Sequence, residues 1–144
     1  MPIPEKIHLE IVTAEKQVYS GDVDSIIVPA LTGYMGILPG HAPLLAELGI
    51  GEILFTVGDT TEDVFCSWGF VEVLPNRVVI LAQTAELSSD IDLKRAEEAK
   101  ARAEKLLMSG DPNVDYAKAE LAVMRAINRI NAAQNMSIRR KRKP

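Results

Sequence analysis

The sequence predicts an all-β sandwich of about ten short strands followed by a C-terminal antiparallel α-helical hairpin. Three observations carry that prediction. From Lys6 to Gln83 the apolar residues mostly alternate, are often β-branched, and are interrupted by turn residues with no helical stretch between. From Ser88 to Asn135 the spacing changes to three and four, and Leu93 to Met108 holds no Gly, Pro or β-branched residue. Charge divides near the same place: residues 1–88 hold 3 Lys/Arg against 12 Asp/Glu, residues 89–136 hold 8 of each, and residues 137–144 hold five cations and no anion. The expected organisation is therefore an acidic domain over 1–88, a two-helix arm over 89–136 and a basic tail over 137–144.

Six segments read as strands: His8 to Thr13, Val23 to Val28, Glu52 to Val57, Asp63 to Ser67, Phe70 to Leu74 and Arg77 to Leu81. Ser20-Gly21-Asp22, Gly58-Asp59-Thr60-Thr61 and Pro75-Asn76 supply turn chemistry between them. Many short strands without crossover helices favour a sandwich or flattened barrel. The stretch Gly33 to Leu44 breaks this rhythm, with three glycines and two prolines in twelve residues. Tyr34 and Met35 stand between glycines there, where the local pattern offers them no core. Such a loop is either a tight connection, with His41 bonded to backbone, or a presented contact surface.

In the arm, Ser88, Ser89, Asp90 and Asp92 are candidate N-caps for a helix over 93–108. Ser109-Gly110-Asp111-Pro112 stops it, since Gly110 suits a left-handed position and Pro112 cannot continue a helix. Asn113 or Asp115 caps a second helix running from about Tyr116 to Gln134. Ala96, Ala99, Ala103 and Leu106 on the first helix face Ala119, Ala122, Ala126, Ile130 and Ala133 on the second. An alanine seam buries little apolar area per turn, so this hairpin is expected to be marginal by itself and able to rearrange.

Composition excludes several functions. The single Cys66 forbids an internal disulfide and fits a reducing compartment, and one Cys with two His at unrelated spacing gives no metal site. No apolar run approaches the roughly 20 residues that span a bilayer, and no charged segment precedes an apolar core at the start. The expectation is a soluble, unexported chain without direct membrane insertion. His41, Asp22 and Glu72 are the available acid–base groups, but no nucleophile motif or phosphate loop accompanies them, so no catalytic residue is assigned. An acidic domain without an aromatic platform argues against nucleic acid as a partner.

Three motifs together are specific. Gly33-x-x-Gly36-x-Leu38-Pro39-x-His41-x-Pro43-Leu44, then Trp68-Gly69-Phe70-Val71-Glu72-Val73, then Ile91-Asp92-Leu93-Lys94-Arg95-Ala96 resemble the epsilon subunit of F-type ATP synthases, in order and over about residues 5–136. The resemblance implies a ten-stranded sandwich and a two-helix arm in the central rotor stalk of a complex that makes ATP from a transmembrane proton gradient. It implies gamma and the ring of c subunits as partners, with alpha and beta added when the arm extends. Gly33, Tyr34, Met35, Gly36, Pro39, His41 and Pro43 match the part of the sandwich facing the ring. The implied place is peripheral, at the cytoplasmic face of the bacterial inner membrane. The implied role is non-catalytic: the arm folds against the sandwich or extends along gamma, and the extended form inhibits ATP hydrolysis.

The resemblance also maps a regulatory ATP site onto Glu86, Ile91, Asp92, Arg95, Ala96, Arg125 and Arg129, with no cofactor required. Physics supports part of it. Arg125 and Arg129 are helix neighbours whose repulsion costs about 0.2–0.5 kcal/mol unless an anion answers it, and guanidinium groups bind phosphate bidentately. Equally, Asp92 caps the helix without any nucleotide, and the arginines can pair with Glu97, Glu98 or Glu104. A stand-alone nucleotide-binding adaptor is the competing reading, and co-purification with gamma, alpha and beta separates the two. The tail departs from the usual family ending; it is expected to be a solvated extension able to meet an acidic surface.

Overall fold

The computed structural model describes the backbone of residues 2–142 and the side chains of residues 2–135. It divides into two compact units, Met1–Leu87 and Ser88–Pro144.

The first unit is a seven-stranded sheet: β1 (Ile7–Val12), β2 (Gln17–Val23), β3 (Ser25–Ala30), β4 (Gly33–Ile37), β5 (Leu44–Val57), β6 (Thr60–Leu74) and β7 (Arg77–Leu87). The order is β2-β1-β7-β6-β5-β3-β4, with β1 parallel to β7 and every other pair antiparallel. The sheet folds over itself because its three long strands bend at one level. Pairing between β5 and β6 passes from Leu48 with Gly69 to Ile50 with Ser67, and pairing between β6 and β7 passes from Gly69 with Ala82 to Ser67 with Thr84. Trp68 has φ 55° and Gly69 φ 152°, so the chain turns there without leaving the ladder. This explains why seven strands stand where about ten were expected. Asp63 to Ser67 and Phe70 to Leu74 are two halves of β6, not two strands.

The bend sets two layers face to face. Ile7, Leu9, Ile11, Val71, Val73, Val78 and Ile80 come from one, and Ile26, Val28, Ile37, Ile53, Phe55 and Val64 from the other, all at most 1% exposed. Cys66 lies in the same core, where burial pushes its thiol up to about 12, so it stays protonated and unreactive.

The stretch Gly33 to Leu44 is only partly a loop. Its first five residues form β4, an edge strand paired with β3, and Met35 packs against the core instead of standing free.

In the second unit, α1 (Leu93–Met108) follows a short 3-10 turn at Ser88–Asp90. Asp92 is its N-cap, with a carboxylate oxygen accepting the Arg95 N–H at 3.1 Å. Gly110 ends it at φ 67°. Of the two candidate caps for α2, Asp115 takes the role, accepting the Lys118 N–H at 3.1 Å. Helix α2 spans Tyr116–Arg142, beyond the expected end near Gln134, because no Gly or Pro interrupts it. The alanine seam forms around Ala96, Ala103, Ala119 and Ala126, each at most 6% exposed, while Leu106 is 48% exposed and lies outside it. Side chains of the basic tail lie outside the described residues.

Candidate functional site

The two flanks of the hairpin differ. Glu97, Lys100, Ala101 and Glu104 of α1, with Ile127, Ile130, Asn131 and Gln134 of α2, line one groove of about 530 Å³. Both sets follow the i, i+3, i+4, i+7 spacing of a single helix face. An antiparallel pairing therefore sets Glu97 level with Gln134 and Glu104 level with Ile127. At 100° per residue, Arg125 and Arg129 stand about 160° from the Ile127 direction, and Arg95 is equally far from that of Glu97. The arginines assigned to nucleotide thus share the flank opposite the groove.

The same register sets Arg102 level with Arg129, on that arginine flank. Sequence reasoning missed Arg102; its signal was the seven-residue spacing from Arg95, two helical turns along one face. Arg95 and Arg102 are exposed, and Arg125 and Arg129 half-exposed. From Arg95 to the level of Arg125 the row spans about 16 Å of helix axis.

The other assigned residues are distributed differently. Asp92 and Ile91 lead into α1, with the Ile91 N–H donated to the Ser88 carbonyl at 3.3 Å. Ala96 is 5% exposed in the seam. Glu86 belongs to the other unit, on β7 opposite Phe65 of β6.

On the sandwich, Tyr34 is 58% exposed on β4 and its hydroxyl accepts the Glu52 N–H at 3.2 Å. Gly36 has ordinary backbone angles, and a Cβ added there would meet nothing within 4 Å, so packing within this chain does not require glycine. Leu38, at 63%, and Leu31, at 55%, extend the apolar exposure around Tyr34. His41 donates from Nδ1 to the Ala42 carbonyl at 2.7 Å. Asp22 meets His8 at 3.0 Å on the β1–β2 pair, while Glu72 is on β6 opposite Val79. These three acid–base residues do not converge, and no group of three or more metal-ligating side chains occurs among the described residues.

Comparison with known proteins decides the family. The family described as "ATP synthase, Delta/Epsilon chain, beta-sandwich domain" matches residues 6–88, and its "long alpha-helix domain" matches residues 89–134. The chain belongs to the ATP synthase delta/epsilon family. A family member from Halalkalibacterium halodurans, an ATP synthase epsilon chain, is 48% identical over 128 residues, covering 88% of this chain and 96% of its own. The epsilon chain of Bacillus licheniformis is 47% identical over 128 residues, 89% of this chain and 98% of that one. In fold, this member is similar to a chain in the Euglena gracilis mitochondrial ATP synthase OSCP/F1/c-ring structure. The TM-score is 0.81 at 24% identity, over 93% of this chain and 84% of that one. No helix among the described residues is long and apolar enough to cross a membrane.

Proposed function

We propose that this chain is a non-catalytic subunit of the central stalk of a rotary ATP synthase, with its helical arm acting as a nucleotide-sensitive brake on hydrolysis. The observation that carries this is the arginine row of a two-helix arm in a delta/epsilon family member. Arg95, Arg102, Arg125 and Arg129 stand on one flank of a hairpin held by an alanine seam. A row about 16 Å long suits an elongated polyanion more than a single phosphate. ATP on that flank bridges both helices and favours the closed hairpin over any state in which they separate.

The sandwich is the mount. Tyr34, Leu38 and the bare backbone at Gly36 form an end that another chain can approach closely, and this end meets the c ring. Gamma binds the sandwich, and alpha and beta are contacted when the arm extends. The complex places the chain peripherally at the cytoplasmic face of a bacterial inner membrane. Chemistry stays on other chains, since His41, Asp22 and Glu72 are dispersed.

Calorimetric ATP titration of the isolated chain tests the brake. Arg129→Ala is expected to weaken binding tenfold or more, and equal affinity for the variant would refute the assignment. Co-purification with gamma tests the mount independently.

A further inference from the structure

The strand order of the sandwich ends at β2 and at β4, and only β2 is guarded. Strand β2 carries Asp22, follows Glu15 and Lys16, and pairs with β1 through a register shift at Ile11 and Val12. Charge and irregularity of that kind discourage a further strand. Strand β4, Gly33-Tyr34-Met35-Gly36-Ile37, has no charge, no proline and no register shift against β3. Its first four residues are exposed or half-exposed.

The pairing with β3 fixes which backbone groups of β4 face outward. Leu31 and Thr32 make a two-residue turn, so Ala30 and Gly33 form a hydrogen-bonded pair, and such pairs recur at every second residue. Pro29 has no N–H to give, and it falls opposite Tyr34 at a non-bonded pair. Gly33, Met35 and Ile37 therefore bond to β3, while the N–H and C=O of Tyr34 and Gly36 point to the open side. Met35 packs on the core, so the residues on either side of it belong to the outer face. There Tyr34 leans back across β3, its hydroxyl accepting the Glu52 N–H of β5, and Gly36 has no side chain. Nothing on the outer face stands over this edge within its own unit.

We propose that β4 pairs with β4 of a second copy of this chain, antiparallel about a twofold axis at Met35. That register sets Tyr34 of each copy opposite Gly36 of the other, and each of these two pairs exchanges two backbone hydrogen bonds. Tyr34 keeps its bond to Glu52 because the residue that comes opposite it has no side chain. The two Met35 residues meet at the non-bonded pair on the axis, where side chains approach most closely, and carry the core of one sandwich toward the other. The incoming strand thus needs an apolar residue opposite Met35 and a bare one opposite Tyr34, and β4 itself supplies both. The contact is isologous and closes at two copies. Five residues a side give an area at the low end of specific interfaces, so the dimer is weak, and without charge in β4 it is indifferent to salt. It covers the end given above to the ring, so it belongs to the chain outside its complex; that consequence rests on the proposed function, and the pairing does not.

Amide exchange of the full chain at about 20 µM and about 1 mM, with sedimentation equilibrium over the same range, tests this. A monomer–dimer equilibrium is expected. With it the Tyr34 and Gly36 amides exchange at least twofold more slowly at the higher concentration, and the amides of β2 are unchanged. Gly36→Lys, whose Cβ meets nothing within 4 Å in its own chain, is expected to weaken the dimer at least tenfold and to leave urea unfolding unchanged. A monomer at every concentration overturns the proposal and leaves the edge to a strand of another chain. So does a dimer whose Tyr34 and Gly36 amides exchange as in the monomer, or one that survives Gly36→Lys, because that dimer uses another face.

Discussion

The hydroxyl of Tyr34 lies over the backbone of β5 because residue 51 is glycine. A Cβ at Gly51 would come within 2.7 Å of the Tyr34 Oη and 2.6 Å of the Pro29 Cβ, and the neighbouring Glu52 N–H is what the hydroxyl accepts. The exposed tyrosine that heads the proposed ring-facing end is thus held by a glycine 17 positions away in sequence. Gly51→Ala should displace Tyr34 and destabilise the sandwich by about 1–3 kcal/mol, the range for overpacking a filled site. Urea unfolding measures it. Tyr34→Phe, which keeps the ring and loses the hydrogen bond at an exposed position, should cost about 1 kcal/mol or less.

Gly69 is less forgiving. A Cβ there would lie 2.0 Å from the Leu81 carbonyl oxygen and 2.8 Å from the Ala82 Cα, both backbone atoms, and φ is 152°. No rotamer change relieves that clash. Gly69→Ala should cost ~3 kcal/mol or more and lower the yield of folded protein, whereas Gly36→Ala should leave unfolding unchanged. If Gly36→Ala nevertheless lowers association with the rest of the complex, the bare backbone at residue 36 serves a partner.

These two glycines also show where the sequence was legible. Alternation and turn chemistry located the strands, and alanine spacing with Gly110-x-Pro112 located the hairpin. The strand count failed because a glycine in a strand pattern has two meanings. Trp68-Gly69 is a break if pairing stops and a bend if it continues, and only the pairing of Gly69 with both Leu48 and Ala82 distinguishes them. The end of α2 is illegible for another reason: a run of charge suits irregular chain and helix alike, and nothing in Ser137 to Arg142 breaks a helix. Arg102 escaped notice because its place on the arginine flank depends on the register between two helices, which no local pattern encodes.

Asp24 makes the sandwich sensitive to acid. The Lys6 ammonium hydrogen-bonded to its carboxylate, helped by the Gly58 N–H at 2.7 Å, holds it below the ordinary carboxylate range. A carboxylate with a lowered folded-state pKa adds stability that is present above its unfolded value, near 3.9, and is lost as pH falls through the folded value. Stability should therefore decline below about pH 4. Asp24→Asn should flatten that decline while lowering stability at pH 7. Thermal unfolding followed from pH 7 downward reads both effects.

Asp92 has two assigned roles, and one pair of substitutions separates them. Asp92→Ala removes the cap on Arg95 N–H and should weaken the hairpin by ~1 kcal/mol, whereas Asn keeps a capping oxygen. If ATP affinity falls in Asp92→Ala and survives in Asp92→Asn, the residue acts by starting the helix. A fall in both variants places the carboxylate itself at the nucleotide. Helicity and calorimetric titration on the same samples supply the two readouts.

The proposed sensitivity of the arm to ATP follows from how little holds it. Among the described residues the buried hydrophobic side chains of the two helices are all alanines, Ala96, Ala103, Ala119, Ala126 and Ala132, so the closed hairpin has a small margin over separated helices. Ligand that binds only the closed form adds RT ln(1 + [L]/Kd), about 2.7 kcal/mol at a hundredfold excess over Kd. Amide exchange in residues 93–135 should slow by up to about a hundredfold at that excess, with the sandwich strands unchanged. Arg129→Ala should remove most of the protection, and Arg102→Ala, level with it across the seam, should reduce it. Glu97→Gln, on the groove flank, should leave it intact. Protection lost equally in all three would show that the substitutions act on the hairpin's stability and not on a nucleotide held by one flank.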